Sequence, residues 1–216
     1  MRTILNKDIK ELAFYAASAI LSEIESVLEK KGTCNVGLVG GTSVGETYNQ
    51  LKISGEDILE YVNFFILDER ITPLDSDESN YKLISQYLNA ISINVESKNL
   101  KEELINYSEK IKKVGGLDIA ILSAGEDCHV AAIYPKKKYS NDFYEILKDS
   151  PKPPKERITI TPNALSETKS VFLFFIGDNK KDAYKKFLSN KKINSYDAIK
   201  KIKKITIITN LRMCNE

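Results

Sequence analysis

Leu117-Asp118-Ile119-Ala120-Ile121-Leu122-Ser123-Ala124-Gly125-Glu126-Asp127-Cys128-His129 joins an apolar run to a polar turn. The run has the length of a buried strand. The turn contains a glycine, two acids and the only histidine of the chain. In open α/β sheets, side chains and backbone amides converge on a crevice at the carboxyl ends of the strands. We therefore predict that His129 lies at the mouth of such a crevice.

Similar apolar runs alternate with helical patterns along the chain. Near-continuous Val, Ile, Leu and Phe runs separated by helices are typical of a parallel sheet covered on both faces. We predict a three-layer, mostly parallel, Rossmann-like α/β fold in which residues 1–216 form a single domain. The predicted strands are 34–39, 61–67, 117–122, 157–161, 171–176 and 205–209, and the predicted helices are 6–31, 44–53, 79–90, 100–114 and 178–190.

Residues 136–154 have no clean period and contain three of the six prolines. They are predicted to form a long surface excursion. Whether this segment closes over a ligand stays open.

The composition excludes several classes of protein. The 32 basic and 30 acidic residues leave a formal charge of +2, and this near-neutral balance does not indicate any class of binding partner. Charges interrupt the N-terminus, and the uncharged run 12–22 is too short to span a bilayer. The lysine-rich C-terminal part has little aromatic interleaving, which argues against nucleic acid. We expect a cytoplasmic protein without membrane or nucleic-acid partners, either a monomer or a homodimer.

The cysteines and the lone histidine argue against a metal centre. Cys34, Cys128 and Cys214 are too few and too widely spaced for a disulfide framework or a zinc ribbon. One histidine does not complete the usual set of ligands. We expect reduced thiols and no structural metal.

Gly40, Gly41, Thr42 and Ser43 follow the predicted strand 34–39 and precede a helix. Glycines let an oxyanion approach the backbone, the two hydroxyls can donate, and a helix N-terminus adds positive potential. These features suit a phosphate, although the segment is neither a Walker loop nor a dinucleotide fingerprint. A tight turn capped by Thr42 or Ser43 explains the same residues equally well.

Asp68, Glu69 and Arg70 directly follow the predicted strand 61–67. Consecutive charges at that place need partners or solvent. Arg70 can fork onto a phosphate or carboxylate while a neighbouring acid fixes its rotamer, although a solvated turn is the simpler explanation of this tripeptide alone. Lys180, which opens the helix after 171–176, is a further candidate ligand for an anion.

Asp127 and His129 are candidates for acid–base chemistry. They stand two residues apart, so in an extended segment they project to one side, and the carboxylate can orient a neutral imidazole as a general base. A lone histidine is more often a hydrogen-bonded structural residue. A nucleophile pair of Cys128 and His129 is a minor alternative, because adjacent side chains diverge.

Taken in order, these segments resemble the 6-phosphogluconolactonase family and, more distantly, glucosamine-6-phosphate deaminases. The similarity covers nearly the whole chain. It is carried by Gly40-Gly41-Thr42-Ser43 with Tyr48 and Leu51, by Asp68-Glu69-Arg70 with Pro73 and Ser79-Asn80-Tyr81, by residues 118–135, by Pro153-Pro154 with Arg157-Ile158-Thr159, and by Gly177 to Lys180.

The resemblance implies hydrolysis of 6-phospho-D-glucono-1,5-lactone without a cofactor or metal. In that interpretation His129 is the base on water, and Asp127 or Asp68 orients the ring. The substrate phosphate is bound by the Gly40 to Ser43 loop, Arg70, Lys180 and Arg157.

Other positions bear on the choice within the family. Deaminases of this type resemble Asp-Glu-Tyr at the second strand end and have a glutamate where this chain has Tyr134, which favours the lactonase. Cys128 replaces the glycine that the family has before its histidine, and it costs strain if φ is positive there. A deaminase-like or isomerase-like enzyme and a non-catalytic sugar-phosphate-binding protein are the alternatives.

Overall fold

The computed structural model describes residues 1–189 and 192–212, which form two β-sheets and seven α-helices. Its strands are β1 (Arg2–Leu5), β2 (Cys34–Leu38), β3 (Val62–Ile66), β4 (Asp68–Arg70), β5 (Ala90–Ile91), β6 (Ile119–Ser123), β7 (Tyr144–Leu147), β8 (Arg157–Ile160), β9 (Ser170–Phe175) and β10 (Lys204–Thr209). The helices are α1 (Ile9–Lys31), α2 (Thr42–Ser54), α3 (Asn80–Ser85), α4 (Leu100–Lys113), α5 (Pro162–Ser166), α6 (Lys181–Leu188) and α7 (Asn194–Lys200).

The main sheet has seven strands in the order β1-β10-β9-β6-β2-β3-β5, and every neighbouring pair is parallel. Its central strands are buried on both faces: all five residues of β2 and all six of β9 are inaccessible to solvent or nearly so. Such strands need helices on both sides. The three-layer, Rossmann-like α/β prediction is confirmed.

The first helix shows how local sequence sets an element's ends. The carboxylate of Asp8 accepts hydrogen bonds from the backbone N–H groups of Lys10 and Glu11, and Gly32 ends the helix at a φ of 72°. The prediction placed the start at residue 6, two positions before this cap. Within 1–189 and 192–212, no helix combines the length and apolar character that crossing a bilayer requires.

A second, antiparallel sheet in the order β4-β8-β7 was not predicted. β8 was expected in the parallel sheet, residues 68–70 were expected to be a turn, and 136–154 were expected to be a surface excursion. Instead, Asp68 pairs with Thr159, and Tyr144 pairs with Ile160. The expectations for the sheet of β8 and for residues 68–70 were wrong, because pairing between short strands is not visible in the local sequence. Most residues of 136–154 do lie at the surface, and β7 is the strand within them.

Other differences concern short elements. The predicted helix 79–90 is only α3, since Ser79 caps it and the chain is already extended again in β5. The predicted helix 178–190 begins with one 3₁₀ turn over Asp178–Lys180 before α6. Residue 190 lies outside the described residues, as does Cys214.

The order of the strands determines where a ligand site can lie. From β2 the chain proceeds through α2 to β3 on one side, and through α4 it returns to β6 on the other side. The crevice at such a reversal, outside the carboxyl ends of the strands, is the usual ligand position in open α/β sheets. Four polar loops follow the adjacent strands β9, β6, β2 and β3 at this edge.

Candidate active site

The loop after β2 is shaped by two glycines. Gly41 has a φ of 114° and directly precedes α2. A Cβ at Gly40 would lie 2.0 Å from the Oδ1 of Asn80, so a side chain there would displace the asparagine. The loop therefore brings bare backbone to the start of a 13-residue helix, whose first N–H groups have no partner within the helix.

Asp68 and Glu69, the acids after β3, are buried and hydrogen-bonded. The Asn80 amide donates to the Asp68 carboxylate over 3.1 Å, while the other carboxylate oxygen of Asp68 has no hydrogen-bond partner among the described residues. Burial raises the pKa of Asp68 against the opposing effect of Arg70 and Arg157. The carboxylate of Glu69 accepts from the backbone N–H groups of Arg70, Asn80 and Tyr81, each at 2.7 Å. Glu69 thus anchors residues 79–81 to β4.

Arg70 and Arg157 are opposite each other on β4 and β8, but their guanidinium groups have different hydrogen-bond partners. Arg70 donates from Nη1 to the backbone carbonyl of Glu78, and its Nε is buried without a partner in the described structure. Arg157 is buried, and its Nε and Nη2 donate to the carbonyls of Lys152, Pro153 and Pro154. Arg157 therefore holds the connection between β7 and β8.

The turn after β6 brings Asp127 and His129 together. Asp127 Oδ1 lies 2.5 Å from His129 Nδ1 and also accepts from the His129 backbone N–H over 3.3 Å. The hydrogen bond from His129 lowers the pKa of Asp127 to about 2. Among the described residues, Nε2 of His129 has no hydrogen-bond partner. This geometry can hold one imidazole nitrogen while the other faces a ligand.

The local backbone is a turn and not the extended segment that the spacing suggested. The Gly125 N–H donates to the His129 carbonyl over 2.8 Å, and the Cys128 N–H donates to the Gly125 carbonyl over 3.1 Å. A Cβ at Gly125 would lie 2.2 Å from the imidazole, so glycine is required beneath the ring. The ring of Tyr134 packs beside it, with centroids 5.4 Å apart.

Cys128 has a φ of 72°, in the left-handed region that favours glycine. Its side chain is buried, and no hydrogen bond joins its thiol to the imidazole within the described part of the chain. The arrangement gives no support to a nucleophile pair of Cys128 and His129.

Lys180 lies at the end of the 3₁₀ turn after β9 and is partly buried, which lowers its pKa. The loop is fixed by the Gly177 N–H, which donates to the Asn210 side chain over 3.0 Å. Asn179, next to Lys180, donates to Glu126 over 3.3 Å. The Lys180 loop is therefore joined to the His129 turn.

Glu126 and Lys152 form an ion pair beside the His129 turn that the sequence patterns did not indicate. Lys152 Nζ lies 2.8 Å from Glu126 Oε1, so the segment 136–154 borders the site through this lysine. Nothing in the local sequence signals this contact, because it joins residues 26 positions apart. Within the described residues, no group of His, Cys, Asp and Glu side chains could hold a metal ion.

Comparison with known proteins assigns the chain to a family. Residues 7–206 match the model of glucosamine-6-phosphate isomerases/6-phosphogluconolactonase. The 6-phosphogluconolactonase of Borreliella burgdorferi is 30% identical over 210 residues, which cover 86% of this chain and 87% of that protein.

Two solved structures share the fold. The 6-phosphogluconolactonase of Thermotoga maritima has a TM-score of 0.85 at 24% identity, covering 96% of this chain and 98% of that one. A monomeric glucosamine-6-phosphate deaminase has a TM-score of 0.84 at 18% identity, covering 97% of each chain. The fold alone therefore does not separate the two activities. The matches over most of the chain show that it belongs to the 6-phosphogluconolactonase family, within the glucosamine-6-phosphate isomerases/6-phosphogluconolactonase group.

Proposed function

We propose that this protein hydrolyses 6-phospho-D-glucono-1,5-lactone to 6-phosphogluconate, the lactonase step of the oxidative pentose phosphate pathway. The observation that carries the proposal is the contact of 2.5 Å between Asp127 and His129 at the carboxyl edge of the sheet, with a glycine loop and cationic side chains on the neighbouring strand ends. The name of the bacterial relative supports the choice of substrate.

The phosphate is bound by the loop from Gly40 to Ser43, with Arg70 and Lys180. Backbone N–H groups at the start of α2 are donors that a phosphate can accept from, and the guanidinium group of Arg70 adds positive charge beside them. Arg157 contributes through its charge and by holding the β7–β8 connection, since its Nε and Nη2 are already used. Binding of the phosphate, which does not react, positions the lactone carbonyl near His129.

His129 acts as the general base. Nε2 removes a proton from water as the water oxygen bonds to the lactone carbonyl carbon, while Nδ1–H donates to Asp127. The ring C–O bond of the tetrahedral intermediate then breaks, and the imidazolium returns its proton to the ring oxygen, which becomes a hydroxyl. The new carboxylic acid ionises and releases one proton. Asp68 does not contact the imidazole by a hydrogen bond, so we assign ring orientation to Asp127.

The test is lactone hydrolysis followed by proton release and corrected for the spontaneous rate. His129→Ala is expected to lower kcat by about 100-fold or more, a size typical of the loss of a general base. Circular dichroism of the variant checks that the fold is intact. Near-full activity of a folded His129→Ala variant would exclude the mechanism.

The alternatives give different products. A deaminase releases ammonia from glucosamine 6-phosphate, and Tyr134 in place of the deaminase glutamate argues against this activity. Tight binding of 6-phosphogluconate without turnover would indicate a non-catalytic sugar-phosphate-binding protein. Both measurements use the same purified protein as the lactonase assay.

A further inference from the structure

Ser195, in the first turn of α7, holds the peptide that precedes His129. Its hydroxyl is fully buried and donates to the carbonyl of Cys128 over 2.6 Å, across 67 positions of sequence. The same helix makes a second contact with this part of the chain, since the Asn194 amide donates to the Lys137 carbonyl over 2.7 Å. The N-terminal part of α7 therefore contacts both ends of the segment from 128 to 137.

The peptide unit between Cys128 and His129 is held on both sides. Ser195 fixes its carbonyl, and Asp127 Oδ1 accepts from its N–H over 3.3 Å. The same oxygen of Asp127 contacts the imidazole. The orientation of this peptide plane therefore sets the direction of the His129 side chain as well as its hydrogen bond to Asp127.

These hydrogen bonds matter because the backbone conformation at Cys128 is unfavourable for a residue with a side chain. A residue with a Cβ is less stable at a φ of 72° than at negative φ, so the turn has a tendency to rotate away from the observed conformation. A buried hydrogen bond to the carbonyl of that residue opposes the rotation. Ser195 itself touches neither the imidazole nor the crevice by any hydrogen bond among the described residues.

We propose that Ser195 is a positioning residue for the lactonase reaction, which keeps the strained Cys128 turn in the conformation that aims His129 at the substrate. The proposal rests on the proposed function for its kinetic test. The restraint of the imidazole by Ser195 can also be measured by NMR without an activity assay.

The kinetic test compares Ser195→Ala with Ser108→Ala. Ser108 is also buried and also donates to a carbonyl over 2.6 Å, but it bonds to Leu104 within α4. Ser195→Ala is expected to lower kcat about tenfold with KM within about twofold, because small displacements of a base are costly while the phosphate loops are untouched. Ser108→Ala is expected to leave both parameters near the wild-type values.

Repeating the Ser195→Ala substitution in the Cys128→Gly variant separates a positioning role of Ser195 from a general loss of stability. Glycine adopts positive φ as readily as negative φ, so in Cys128→Gly the turn needs less support. Adding Ser195→Ala to Cys128→Gly is expected to lower kcat by no more than about threefold. Equal losses in the two backgrounds, or a change in KM alone, would overturn the proposal. If Ser195→Ala does not fold, Ser195→Cys, which has nearly the same size and a weak donor, takes its place.

The lone histidine supplies the readout that is independent of activity. With ¹³C-labelled histidine, the wild type gives one ring Hε1–Cε1 NMR signal, since the chain has one histidine. Ser195→Ala is expected to shift and broaden this signal, whereas Ser108→Ala is not. An unchanged signal in Ser195→Ala refutes the positioning role. If the wild type fails to hydrolyse the lactone, the proposed function fails while the NMR comparison still tests Ser195.

Discussion

Cys128 has a side chain at a backbone position that favours glycine. The position has a φ of 72°, and the neighbouring Ala131 also has a positive φ, of 53°. Two left-handed residues with side chains within four positions store strain beside the proposed base. Such strain persists only where surrounding contacts determine the conformation, and Ser195 is one of those contacts.

Replacement of Cys128 tests this strain directly. We expect Cys128→Gly to be more stable than Cys128→Ala by about 1 kcal/mol, because both variants lack the thiol and only glycine relieves the left-handed backbone. The measurement is the free energy of unfolding in urea for the two variants. An alanine variant as stable as the glycine variant would mean that the backbone at this position is not strained.

Arg70 is expected to affect binding more than turnover. Its Nη1 donates to the Glu78 carbonyl and its Nε is buried without a partner in the described structure, so Arg70→Ala removes a positive charge from the proposed phosphate site. We expect KM to rise about tenfold or more with a smaller change in kcat, measured from the dependence of the rate on lactone concentration. An unchanged KM would remove Arg70 from the phosphate site.

Arg157 provides the contrast to Arg70. Because its Nε and Nη2 satisfy three backbone carbonyls between residues 152 and 154, Arg157→Ala is expected to destabilise the fold by about 3 kcal/mol. Arg70→Ala has no comparable set of bonds to lose. Urea unfolding of the two variants therefore separates the scaffold arginine from the ligand arginine.

At the scale of elements, the long buried strands and helices could be predicted, and the small sheet could not. β9 is an apolar run after its first residue, and β2 is apolar apart from Asn35, so the burial of both strands follows from their composition. β4 is three charged or polar residues, and it is a strand only because β8 pairs with it. The acids of β4 tolerate burial there because the Asn80 side chain, the Ser79 hydroxyl and the N–H groups of Asn80 and Tyr81 donate to them, which no local pattern shows.

The same distinction applies to the site. Residues within a few positions after a parallel strand, such as Arg70, His129 and Lys180, could be predicted to lie at one edge because parallel strands end together. Lys152 and Ser195 reach the His129 turn from other elements, and their contacts depend on tertiary packing. The sequence therefore indicated the residues near strand ends, but it did not indicate Lys152 and Ser195, which belong to other elements.

Asp118 joins three elements at the opposite edge of the sheet. Its carboxylate is fully buried and accepts from Lys31 at the end of α1, from Lys169 just before β9 and from the backbone N–H of Asn35 in β2. Burial opposes its ionisation, but the two ammonium groups and the Asn35 N–H outweigh this and lower the pKa of Asp118 from its usual value. The charged form is thus the stabilising one.

Asp118→Asn is expected to lower the free energy of unfolding by about 2 kcal/mol at pH 7. A folded-state pKa below the unfolded value gives stability that is complete above the unfolded pKa and is lost as the pH falls through the folded pKa. The difference between wild type and variant should therefore be smaller at pH 3 than at pH 7, measured by urea unfolding. A difference independent of pH would show that the charge is not the source of the stability.

Asp77 supplies the matched control for Asp118. It also pairs with a lysine, Lys82, but its side chain is 98% exposed. Surface ion pairs contribute little, so Asp77→Asn should leave the unfolding midpoint nearly unchanged at both pH values.

At the scale of the whole molecule, the two sheets share one core. Tyr144 of β7 donates through its hydroxyl to the carbonyl of Ile66 in β3, over 2.7 Å. The N–H of Ile160 in β8 donates to the carbonyl of Leu67, also over 2.7 Å. Both side chains belong to the same hydrophobic cluster as the central strands of the main sheet. These contacts support the proposal that residues 1–216 fold as a single domain.

A single domain of this kind is expected to unfold in one cooperative transition. The chain has 11 tyrosines and no tryptophan, and Tyr144 lies between the two sheets. Tyrosine near-ultraviolet circular dichroism therefore reports on packing between the sheets, while far-ultraviolet circular dichroism reports on the helices. Because loss of the small sheet would expose the core of the main sheet, the two signals should have the same urea midpoint. A lower midpoint for the tyrosine signal would mean that the small sheet, with Arg70 and Arg157 on it, unfolds on its own before the parallel sheet.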